Sequence, residues 1–153
     1  MLSRVGEHSA VWLGVAATGA ALDPSRRRQW LRAGATVLQA HAASVVLKRV
    51  VRLTRPPAQT RLVAVSSEWT FPSSHATGGG AAVVAFGPLV PPAVTAPLAL
   101  AVAWSRVRLR VHHRRDVVAG GALGVGLALL RRLRARGRHG ATFGGPEARP
   151  WGE

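Results

Sequence analysis

The chain has 153 residues, with 21 Lys and Arg against 6 Asp and Glu, a formal net charge of +15 and no cysteine. That length makes one domain the prior, and the missing cysteine excludes disulfides and thiolate metal sites. Hydrophobic residues are 48% and mean hydropathy is +0.15, which sits badly with a soluble nucleic-acid-binding domain, and aromatics at 5% are too few for a base-stacking surface.

Met1 to His8 is a short polar start. Residues 9–22 follow, apolar from Val11 to Leu22. At 1.5 Å per residue the apolar run reaches roughly 18 Å, short of a hydrocarbon core of about 30 Å. A short span, an interfacial helix and a cleaved signal all fit it. Asp23-Pro24-Ser25 with Arg26 to Arg28 reads as a basic turn. Trp30 to Leu47 reads as a helix, with Trp30 as an interfacial anchor and His41 as an interhelical hydrogen-bonding residue.

That helix should run on through Lys48, Arg52 and Arg55, one stripe at i, i+4 and i+7, until Pro56-Pro57 stops it. Ala58 to Phe71 is a polar loop, with Trp69 and Phe71 expected at the interface. The next helix is expected near Ser73, because serine caps well and a free first turn binds anions. Val83 to Trp104 carries no charge, and Pro91-Pro92 makes a helical hairpin the preferred reading there. Asp116 to Leu130 is the last apolar helix, with Gly120 and Gly124 as a small-residue face. Arg131 to Arg136 is a basic stop, and residues 137–153 are expected to be a disordered basic tail.

The residues that suggest chemistry lie at helix ends. Asp116 is one of two aspartates and falls four residues after His112. On a helix starting near His112 the pair shares one face, and the carboxylate can bond one ring nitrogen and leave the other free to react. Arg106 upstream offers a planar fork for phosphate oxygens.

Lys48-x6-Arg55-Pro56, then Pro72-Ser73-Ser74-His75, then Ser105-Arg106-x5-His112-x3-Asp116 together resemble the signature of the type 2 phosphatidic acid phosphatase superfamily. The first and third pieces match without a gap, and the second carries Ser74 where the pattern has glycine. The resemblance implies an all-α, multi-pass transmembrane bundle of about five helices over residues 1–136, with the active site at helix ends on one membrane face. It implies His112 as nucleophile forming a phosphohistidine, His75 as general acid and Asp116 as the group that orients His112. Lys48, Arg55, Ser73, Ser74 and Arg106 would hold the substrate phosphate. No metal or other cofactor enters that scheme, and six carboxylates in the whole chain are few for a two-metal site.

The implied function is hydrolysis of a lipid or polyprenyl phosphate or diphosphate at the cell membrane, with no nucleic-acid partner. Candidate substrates are polyprenyl diphosphate, phosphatidic acid, phosphatidylglycerol phosphate and phosphorylated polyprenyl-phosphate sugars. The small size and arginine bias resemble short actinobacterial members, some linked to decaprenylphosphoryl-phosphoribose dephosphorylation in cell-envelope synthesis. The positive-inside rule puts the basic turn before Trp30 and the basic tail in the cytoplasm, and hence the site outside. The alternative is a basic membrane protein that keeps the fold without catalysis. Haloperoxidases share the motif but are large and soluble.

Overall fold

The computed structural model describes residues 7–65 and 67–140, with only the backbone at 7, 8 and 138–140. It contains five helices: α1 (Glu7–Leu22), α2 (Arg27–Val51), α3 (Ser74–Phe86), α4 (Pro92–Arg108) and α5 (Arg114–Gly140). The chain is therefore all-α over the described residues, as expected.

Asp23 makes the first turn. Its carboxylate accepts from the Ser25 hydroxyl at 2.6 Å, the Arg26 guanidinium at 2.6 Å and the Trp30 indole at 3.3 Å. Trp30 is thereby drawn inward, and the expectation of an interfacial anchor is corrected. It is buried over Gly19 and packs on Phe86 with ring centroids 5.9 Å apart. Trp12 meets the same Phe86 at 6.0 Å. On α2 the buried residues Trp30, Ala33, Gly34, Val37, Ala40, Ser44 and Lys48 form one stripe at spacings of three and four, so the core face of the helix runs straight to the first motif. Residues 9–22 form most of α1, which adds Trp12, Ala16 and Ala20 to this core.

The small residues of α3 let it pack against all four other helices. The contact with α5 is backbone to backbone. A Cβ at Gly124 would collide with the Thr77 carbonyl, and one at Gly120 with the Ser73 carbonyl. Close approach of this kind requires glycine. The α3–α4 hairpin forms as expected, with Pro88 in the turn and Pro97 inside α4.

Three boundaries differ from expectation. α2 ends at Val51, because Arg52 takes a left-handed φ of 51° and its amide closes on the Lys48 carbonyl, so Arg55 lies in the following loop and not on the helical stripe of Lys48. The last helix starts at Arg114, so His112 lies before it, and the helix continues past Arg136 to Gly140. The rest of the expected tail lies outside the described residues. The late start has a local cause. The amides of Val111 and His112 both bond the Arg106 carbonyl, and Arg110 takes a φ of 55°, which turns the chain off α4.

No described helix is long and apolar enough to cross a membrane. α1, α3 and α4 have 16, 13 and 17 residues, and the longer α2 and α5 carry arginines at their ends.

Candidate active site

Three chain segments converge at one end of the bundle: the end of α2 with its following loop, the start of α3, and the α4–α5 turn. Main-chain bonds join them. Ser73 N–H donates to the Asp116 carbonyl at 2.9 Å, Thr70 N–H to the Leu53 carbonyl at 2.8 Å, and Leu62 N–H to the Leu109 carbonyl at 3.2 Å.

His112 is 4% exposed and Asp116 fully buried. The expected direct bond between them is absent: Nδ1 and Oδ2 lie 3.8 Å apart. His112 is not on the helix that carries Asp116, so the i, i+4 register does not bring them together. The Thr70 hydroxyl stands between them instead. It donates to Asp116 Oδ2 at 2.6 Å and lies 3.0 Å from His112 Nδ1. Oδ2 also accepts from the His113 amide at 2.8 Å, while Oδ1 is buried with no hydrogen-bond partner.

Arg55 reaches the same histidine from the other side. Its Nη1 donates to the Val111 carbonyl at 2.6 Å and lies 3.2 Å from His112 Nε2, and its Nε donates to the Ser67 carbonyl at 2.7 Å. Burial, then the charge of Arg61, lowers Arg55 to about 10, which leaves it cationic at neutral pH. Lys48 is buried and its ammonium points at the Trp69 and Thr70 carbonyls, 3.5 and 3.3 Å away. Two of the expected phosphate ligands thus also hold the loop that carries Thr70.

Burial first, then the charges of Arg55, Lys48, His75 and Arg106, pushes His112 down to about 2. A neutral imidazole among fixed cations keeps a ring lone pair available in surroundings that attract anions. His75 lies in the first turn of α3, and Arg106 in the last turn of α4 with Nε 3.3 Å from the Ser105 hydroxyl. Ser73 caps α3, fully buried, and its hydroxyl has no hydrogen-bond partner. Beside the free amides of a helix start, that hydroxyl suits a phosphate oxygen. Ser74 occupies the first helical position, and among the described non-glycine residues only Arg52 and Arg110 have positive φ. The glycine of the family pattern is therefore not demanded by the backbone here.

Thr70 is the site residue that motif reading missed. It lies two residues before Pro72 in a polar loop, with partners 42 and 46 positions away, and no local pattern marks it. Among the described residues, no three His, Asp or Glu side chains converge to hold a metal ion.

A buried, hydroxyl-linked histidine and carboxylate beneath an arginine fork, at the ends of a five-helix bundle, make a site suited to an anionic phosphate substrate. Residues 29–138 match the PAP2 superfamily, and the chain belongs to it. The chain is 46% identical over 121 residues to the decaprenylphosphoryl-5-phosphoribose phosphatase of Mycolicibacterium smegmatis, covering 78% of this chain and 67% of that protein. It is 45% identical over 130 residues to the protein of the same name from Mycobacterium tuberculosis strain CDC 1551, covering 80% and 71%. The fold resembles the crystal structure of the transmembrane PAP2-type phosphatidylglycerolphosphate phosphatase from Bacillus subtilis. The TM-score is 0.62 at 23% identity, over 89% of this chain and 80% of that one.

Proposed function

We propose that this chain is an integral membrane phosphatase that removes the 5-phosphate of decaprenylphosphoryl-5-phosphoribose or a closely related polyprenyl-phosphate sugar phosphate. The observation that carries the substrate is the 46% identity to a protein with that activity in its name. The site geometry supports the reaction. His112 Nε2 attacks phosphorus, the bond to the sugar oxygen breaks, and His75 gives that oxygen its proton. Water then attacks the phosphohistidine, His75 takes the proton, and phosphate leaves. Lys48, Arg55 and Arg106, with the Ser73 hydroxyl and the amides around Ser74, offset the charge on the equatorial oxygens.

Membrane embedding is supported by the outside of the bundle. Leu31, Leu38, Val46, Val94, Leu98, Leu100, Trp104, Val118 and Leu129 are all exposed, an apolar exterior that suits contact with lipid. The short helices fit a multi-pass bundle in which local bilayer thinning and snorkelling of the flanking arginines make up the length. Arg32 and Arg131 line a cavity at the end opposite His112, and Arg131 Nη1 donates to the Thr36 hydroxyl at 3.3 Å. By the positive-inside rule that end faces the cytoplasm and the site faces outward.

The test is phosphate release by detergent-purified protein in EDTA from decaprenylphosphoryl-5-phosphoribose, phosphatidylglycerol phosphate, phosphatidic acid and undecaprenyl diphosphate, beside His112→Ala. Preference for the first lipid, abolished in the variant, is the expected result. Equal release by His112→Ala would overturn the histidine mechanism, and preference for a glycerolipid would overturn the substrate.

A further inference from the structure

Thr70 is wholly buried and tied at three points. Its amide is fixed to Leu53, its carbonyl faces the Lys48 ammonium, and its hydroxyl lies between Asp116 and His112. A hydroxyl has one proton and two acceptor sites. At 2.6 Å from Asp116 Oδ2, the proton goes to the carboxylate. Toward His112 Nδ1, at 3.0 Å, the oxygen can then only accept, so Nδ1 must carry hydrogen. The other face of the ring gives the same answer independently. A guanidinium only donates, so Arg55 Nη1, 3.2 Å from Nε2, requires a lone pair there.

We propose that Thr70 is a positioning residue that links Asp116 to His112 through its hydroxyl, holding the ring as the Nδ1–H tautomer with Nε2 aimed at phosphorus. The proposal rests on His112 being the nucleophile. When Nε2 forms its bond to phosphorus the ring becomes cationic and keeps its Nδ1 proton. That proton bonds to an oxygen already polarised by Asp116, so the carboxylate stabilises the imidazolium across the hydroxyl. No proton needs to cross to the carboxylate, and none is lost to solvent. The surrounding groups suit this task. The His113 amide holds Oδ2 at 2.8 Å, the His113 ring is 3.3 Å from it, and Arg115 Nε is 3.8 Å from Oδ1. Lys48, Arg55, His75 and Arg106 all act on His112 by charge.

The sequence carries the same logic. Thr70 stands immediately before the Phe71-Pro72-Ser73-Ser74-His75 stretch, so one segment delivers both the residue that orients the nucleophile and the histidine that protonates the leaving oxygen.

Two measurements test the proposal. The first is single-turnover phosphoenzyme formation, by rapid quench, in Thr70→Val and Thr70→Ser. Thr70→Val keeps the shape and loses the hydroxyl, and should slow formation by roughly 100-fold with substrate affinity little changed. Thr70→Ser keeps the hydroxyl and should stay within about tenfold of the parent rate. Equal losses in the two variants, or none in Thr70→Val, would overturn the role. If Thr70→Val fails to fold, Thr70→Cys replaces it with the same expectation, since a thiol is a poor link.

The second measurement needs no substrate, so it separates failure of this proposal from failure of the proposed activity. Nitrogen-15 NMR of His112 should show hydrogen on Nδ1 and a bare Nε2 in the parent and both variants, because Arg55 still faces Nε2, with the Nδ1–H proton resonance moved upfield only in Thr70→Val, where its acceptor is gone. A ring protonated at Nε2 in the parent, or an Nδ1–H resonance unchanged in Thr70→Val, would refute the link.

Discussion

Arg55 Nη1 lies 3.2 Å from His112 Nε2, so the cation that would bind the phosphate rests against the atom that would attack it. The same Nη1 donates to the Val111 carbonyl, and the Arg55 Nε to the Ser67 carbonyl. On the proposed mechanism a phosphate oxygen would take over part of this guanidinium's hydrogen bonding.

Arg55→Lys should therefore lower kcat/KM by roughly 100-fold. A lysine keeps the charge but cannot span two carbonyls and a ring nitrogen. The measurement is steady-state phosphate release, with thermal unfolding run alongside to show that the fold persists. Activity within threefold of the parent would mean that charge alone suffices.

The low pKa of His112 sets a sign for acid stability. Between its folded value of about 2 and the ordinary 6.5, the unfolded chain binds a proton that the native site refuses. Stability attributable to His112 is therefore full above about pH 6.5 and declines as pH falls toward 2. The parent should lose about 1 kcal/mol per pH unit in that window relative to His112→Gln. Denaturation midpoints for both proteins at pH 8, 6, 5 and 4 check it, and parallel curves would count against a neutral buried ring.

The helix contact at Gly124 predicts a contrast between neighbours. Gly124→Ala drives a Cβ into the Thr77 carbonyl and should cost about 1–3 kcal/mol. Gly121 and Gly126 have nothing within 4 Å of such a Cβ, and alanine there should stay within about 0.5 kcal/mol. Thermal unfolding in one detergent decides between them.

Ser74→Gly, which restores the family pattern, should leave kcat/KM within about threefold of the parent, because Ser74 already sits in an unstrained first turn. A tenfold gain would show that its side chain obstructs the phosphate.

Much of this arrangement was legible in the sequence. Fixed spacings named Lys48, Arg55, Ser73, His75, Arg106, His112 and Asp116, and the proline pair at 91 and 92 marked the hairpin. What escaped was set by contacts distant in sequence. The place of Trp30 depends on Gly19 opposite it, and local flanks cannot report that slot. The start of α5 depends on the Arg106 carbonyl capturing two later amides, which no helix periodicity encodes. Thr70 depends on the path of a loop whose composition reads only as polar.

The Ser73–Gly120 and Thr77–Gly124 contacts place main chain directly on main chain between α3 and α5. The separation of the segments that carry His75 and Asp116 is thus gauged by atoms that every residue shares. Exposed side chains on the outside of the bundle can then exchange one apolar residue for another without altering the reach from His75 to Asp116. A bundle ruled in this way tolerates divergence in its sequence while its geometry stays put, which fits a fold retained at 23% identity in a distant phosphatase.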